Sequence, residues 1–121
     1  MSSNIDQRLS ALGITLPSPG SPAGNYVPYV IAGDLVFISG QIPRESGQMK
    51  YTGQVGRNLS VEQGHAAARL CGVNLLSQLK TACGGDLDRV ERCVRLGGFV
   101  NSPPDFFYHP LVIIGASDLM V

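Results

Sequence analysis

The residues in this chain best suited to chemistry stand together at Ser39-Gly40-Gln41. They offer a hydroxyl, a backbone amide with no side chain to shield it, and a carboxamide. At a strand end, the hydroxyl and the amide can hold a polar group of a ligand. Gln41 is better suited to tying the strand end to its neighbour. His65 and His109 each stand alone, so no metal site is expected. His65 falls near a helix start with no nucleophile or carboxylate placed beside it, which argues against a general base. His109 sits among Phe106, Phe107 and Tyr108 and reads as packing. Cys71, Cys83 and Cys93 are odd in number and form no CxxC pair, which predicts reduced thiols in a cytoplasmic protein. Cys93 is expected to be buried and inert.

The charge pattern narrows the function. Nine Lys and Arg balance nine Asp and Glu, for a net charge of zero. The basic residues are scattered, so no patch for a nucleic-acid backbone is expected. Arg44 and Arg57 fall in a polar loop, where either could rim a cleft, and read first as solvated charge. No apolar run approaches the ~20 residues that span a bilayer, and the first residues carry no targeting pattern. Only 15% of residues are charged, against roughly 25% in an average domain. Part of the surface is therefore expected to be buried against other copies of the chain.

The elements that must position these groups follow from periodicity. Ile5, Leu9 and Leu12 mark a short amphipathic helix capped by Ser3 or Asn4 and ended by Gly13. Residues 17–25 hold three prolines and two glycines and form a loop. Residues 26–32 and 35–39 flank Gly33-Asp34 as a hairpin. Leu35-Val36-Phe37-Ile38 is apolar throughout, as in a strand buried on both faces. Pro43 stops its ladder. Residues 44–58 are polar and carry no strong element. Ser60 and Gln63 fit a capping box. Behind them Ala66, Leu70, Val73, Leu76 and Leu79 form a helical stripe that Cys83-Gly84-Gly85 closes. Residues 86–88 turn into a long strand over 90–101, with a bulge or close approach at Gly97-Gly98. Pro110 interrupts a helix that is expected to run from about residue 111. Three strands leave the doubly apolar one short of neighbours, so one or two C-terminal strands are expected to be missing from a single, truncated domain over residues 1–121.

Residues 33–43, Gly-Asp-Leu-Val-Phe-Ile-Ser-Gly-Gln-Ile-Pro, resemble the hallmark of the Rid family, the YjgF-type reactive-intermediate deaminases. The order of hairpin, long helix and strand resembles that family from about residue 24 onward. The resemblance implies an α+β, chorismate-mutase-like fold of the bacillus type, with two helices packed on one mixed sheet. It implies a homotrimer with a barrel-like centre and ligand clefts between subunits. The implied reaction is hydrolysis of 2-imino or enamine acids to 2-oxo acids and ammonia, with no cofactor. The implied ligand-binding residues are Tyr29, Ser39, Gly40 and Gln41. The family's arginine and acidic residue would lie beyond Val121, and Pro104 stands where the family has an asparagine before Asp105-Phe106. The 121-residue chain is thus expected to be inactive by itself, and a non-catalytic trimeric ligand-binding or regulatory protein is the alternative.

Overall fold

A computed structural model describes residues 4–20 and 24–121. Its longest element is the helix Val61–Ala82, here α2. Ser60 caps it: Gln63 N donates to Ser60 Oγ at 3.1 Å, and Ser60 N donates to Gln63 Oε1 at 2.8 Å. This is the capping box that the sequence predicts. At the far end Gly84 and Gly85 take φ of +67° and +95°, and the Gly85 amide returns to Lys80 O at 2.8 Å. Glycine holds that left-handed turn without strain.

The short helix Asn4–Ala11, α1, ends at Gly13, whose φ is +72°. It has a distant cap: the Asp88 carboxylate accepts from Asn4 N at 2.7 Å and Ile5 N at 3.0 Å. The Ser3 alternative for this cap lies outside the described residues. The hairpin is present where expected, with its first strand starting at Tyr29 rather than at residue 26. Strands β1 (Tyr29–Ala32) and β2 (Leu35–Ile38) pair antiparallel, with Ala32 opposite Leu35. Gly33, at φ +60°, occupies the first position of the two-residue turn, the glycine position of a type II′ hairpin.

Several expectations need correction. Strand β2 is not buried on both faces: Leu35 is 47% and Phe37 59% exposed. Its one ladder partner is β1, so one edge and one face meet no described strand. Residues 90–101 form no strand, because an extended segment becomes one only by pairing, and no described strand lies beside them. Cys93 is consequently exposed rather than buried. Residues 44–58 are not featureless. They contain a second hairpin, β3 (Arg44–Glu45) and β4 (Gln48–Met49), and a parallel bridge from Val55 to Leu59. The class is α+β, but the described strands form two two-stranded antiparallel sheets in place of one mixed sheet.

The last helix, α3, spans His109–Met120. Pro110 lies in its first turn, where the missing N–H would have no helical partner anyway, so it opens the helix rather than interrupting it. Helix α3 packs along α2 on small residues. A Cβ on Gly115 would strike the His65 carbonyl, and one on Gly72 would press against Leu119 and Ala116. Val55, Phe106 and Val112 form the buried cluster beside this seam, with Leu59, Val61, Ala68 and Val100 packed on it. Leu87, in the 3-10 turn Leu87–Arg89, is buried to 1% exposure.

Candidate functional site

Helix α2 positions the site through three polar side chains. Asn74 Nδ2 donates to Ile42 O and Arg44 O, both at 3.0 Å, and so fixes the start of β3. Ser77 Oγ donates to Pro17 O at 2.6 Å, and Gln78 Nε2 donates to Gly20 O at 3.1 Å. Between the segments held in this way lies a cavity of about 390 Å³. Ser39, Gly40 and Gln41 are in its wall, beside Tyr26, Arg44 and Asn74. The volume is near the lower end of the range for small-molecule sites.

Each expected residue has a definite place. The Ser39 hydroxyl donates to Val27 O at 2.6 Å. Its proton is committed there, so toward any other partner the oxygen can act only as an acceptor. The Ser39 amide donates to Pro28 O at 2.9 Å and holds the strand end in place. A Cβ on Gly40 would meet nothing within 4 Å, so the backbone is open to close approach. Gln41 Nε2 donates to Ser39 O at 3.2 Å, a local tie that stiffens the turn out of β2. Tyr29 is half-buried, pairs with Ile38 and lies outside the cavity wall. The tyrosine in the wall is Tyr26.

Arg44 is the charged residue of the described wall; the sequence favours solvated charge there, with a cleft rim as the alternative. Its place depends on the β3–β4 turn and on Asn74. The available signal was Ser46-Gly47, a turn dipeptide between two extended residues on each side. An arginine in the wall can pair with a carboxylate through its planar fork. The described wall contains no carboxylate and no imidazole.

The remaining candidates stand apart. His109 is exposed, with its ring edge-on to Phe106 at 5.1 Å and Nε2 3.2 Å from Ser102 Oγ. His65 is half-buried in α2, with its carbonyl against Gly115. Asn101 Nδ2 donates to Gly53 O at 3.2 Å, and its carbonyl accepts from Val55 N at 2.9 Å, which anchors the loop over the buried cluster. Burial pushes the Cys71 thiol up from 9.0 to about 11, against a smaller opposing pull from a backbone hydrogen bond. No helix of the described residues is long and apolar enough to cross a membrane.

The architecture defines an α+β domain with a small cavity at a strand end. Residues 6–121 match the family described as "YjgF/chorismate_mutase-like, putative endoribonuclease". The chain belongs to this YjgF/chorismate-mutase-like family. Protein TCP17 of Trypanosoma cruzi is 46% identical over 120 residues, which cover 99% of this chain and 74% of that protein. A crystal structure of Atu1372 from Agrobacterium tumefaciens, titled as of unknown function, is 49% identical with a TM-score of 0.84. That match covers 93% of this chain and 68% of the other. A second crystal structure, titled a "putative endoribonuclease" from Shewanella oneidensis MR-1, is 42% identical with a TM-score of 0.90. It covers 94% of this chain and 75% of the other. The fold is therefore the chorismate-mutase-like fold that residues 33–43 imply.

Proposed function

We propose that the protein hydrolyses small 2-imino or enamine acids to 2-oxo acids and ammonia, as a homotrimer. The observation that carries this reading is the cavity with Ser39-Gly40-Gln41 and Arg44 in one wall. Arg44 would pair with the substrate carboxylate. The Ser39 oxygen, an acceptor because its proton is spent on Val27, would take a hydrogen bond from the iminium N–H. Water then adds to the imine carbon, and the carbinolamine collapses to the ketone as ammonia leaves. Those proton transfers need an acid or base within reach. The described wall has no carboxylate and no imidazole, so the reading draws that group from elsewhere in the assembly. The exposed Val30, Ile31 and Phe37 support a face covered by another subunit.

The test uses protein purified from its own host. An amino-acid oxidase generates 2-iminopropanoate in situ, ammonia release is followed, and sedimentation gives the oligomeric state. The expected result is faster release than in buffer, from a trimer. No acceleration by a protein shown to be trimeric would sink the reading. Saturable 2-oxo acid binding without turnover would favour the alternative, a non-catalytic binding protein. The endoribonuclease in the family's description and in one relative's title transfers poorly here, because the chain's net charge is zero and its basic residues are scattered. RNA cleavage by the purified protein would reverse that judgement.

A further inference from the structure

Away from the strand-end cavity, a serine and an imidazole meet. Ser102 Oγ lies 3.2 Å from His109 Nε2, and neither residue is in the wall of that cavity. With the ring proton on Nδ1, Nε2 accepts from the serine hydroxyl, the arrangement by which an imidazole activates an alcohol as a nucleophile. The two are seven residues apart, and the chain between them turns back. Pro103 and Pro104 restrict the path after Ser102, and Phe106 N donates to Pro103 O at 3.1 Å to close the turn. Each partner is also held from outside the turn. Asn101, beside Ser102, donates from Nδ2 to Gly53 O at 3.2 Å and accepts from Val55 N at 2.9 Å. His109 is the first residue of α3, and its ring rests edge-on against Phe106 of the buried cluster, 5.1 Å between centroids. Packing thus orients the ring where a triad uses a carboxylate. His109 is exposed and Ser102 half-buried, so a substrate can reach both.

We propose that Ser102 and His109 form a catalytic dyad that hydrolyses aryl esters, a second activity independent of the imine chemistry. Ser102 Oγ attacks the ester carbonyl carbon while its proton passes to His109 Nε2. The tetrahedral intermediate expels the aryl alcohol, which takes that proton, and the acyl group stays on Ser102. Water then attacks the acyl carbon and gives a proton to Nε2. The acid departs, and Oγ recovers its proton. Ester and water become acid and alcohol, and the dyad is regenerated. The aromatic class follows from Phe107 and Tyr108, which directly precede His109 and are 78% and 60% exposed. Their rings offer a surface on which an aromatic group can stack.

The experiment treats the full chain with p-nitrophenyl acetate, after alkylation of the exposed Cys93 thiol. Nitrophenolate release is followed, and peptide mass spectrometry of early acid-quenched samples locates the acetyl group. The comparison covers the wild type, Ser102→Ala and His109→Gln. In the wild type Ser102 should be acetylated about 100-fold faster than Ser60, an exposed serine whose Oγ meets a backbone amide. That is the scale of general-base assistance. Ser102→Ala should lose the rapid release. His109→Gln, which keeps the hydroxyl, should slow acetylation of Ser102 by about 100-fold. The ratio of Ser102 to Ser60 in the wild type decides the matter even if a variant does not fold. Equal labelling of the two serines overturns the dyad, as does undiminished labelling of Ser102 in folded His109→Gln.

Discussion

A single methyl group on Gly115 would collide with the backbone carbonyl of His65, and backbone cannot swing aside as a side chain can. Gly115→Ala should therefore force α3 away from α2 and cost about 1–3 kcal/mol, read as a lower urea midpoint. The thiols make a second residue-scale prediction. In the native fold Cys71 stays neutral until about pH 11. Between pH 9 and 11 the native chain holds a proton that the unfolded chain has released, so this contribution is present below pH 9 and is lost as pH rises through 11. At pH 8 Cys71 should react with a disulfide reagent at roughly a hundredth of an ordinary thiol's rate. Cys93, which is exposed, should react first; mass spectrometry of the early adduct distinguishes them. Legibility was uneven at this scale. Ser39-Gly40-Gln41 could be read because three adjacent residues at a strand end need no distant partner to be brought together. Arg44 could not, because its place depends on Asn74, 30 residues further along the chain. Tyr29 and Tyr26 lie three residues apart across a bend, and which of them meets the cavity is a matter of backbone path rather than residue type.

The β3–β4 turn shows what a short element costs. Ser46 and Gly47 both have positive φ, at +53° and +78°, as a type I′ turn requires. Serine is a poor occupant of the first position, where asparagine is favoured. Ser46→Asn should stabilise the domain by roughly 0.5 kcal/mol, visible as a rise in melting temperature. The longer elements were more legible because their signals are local. Ser60, Gln63 and Gly84-Gly85 bracket α2, and Gly33 marks the first hairpin. Residues 90–101 alternate like a strand, yet a ladder is a relation between two segments, and the described residues offer only one of them. Burial on both faces of β2 failed for the same reason. An apolar run records what the segment is built to meet, and the meeting partner is outside the described contacts.

On the scale of the molecule, the low charge content and the exposed apolar hairpin belong together. Val30, Ile31, Leu35 and Phe37 all remain about half or more exposed. A patch of that kind is the usual mark of an interaction surface. Phe37→Asp should leave far-UV circular dichroism unchanged and shift the proposed trimer to monomer in sedimentation. A trimer unaffected by that charge would place the subunit contact elsewhere. By contrast, the Lys80–Asp6 pair at 3.1 Å is partly exposed and adds little to the attachment of α1.

What fastens α1 has a consequence for how the chain is made. Its first two amides depend on a carboxylate more than 80 residues downstream, while an isolated helix of eight residues is marginal in water. During synthesis α1 leaves the ribosome before residue 88 and stays unformed until that residue has followed it. A helix made before α2 and α3 thus settles after them, as a late latch rather than a nucleus. Asp88→Ala should release it: its amides should exchange with solvent deuterium about 5-fold faster or more, the scale of a lost cap, while those in the middle of α2 keep their protection.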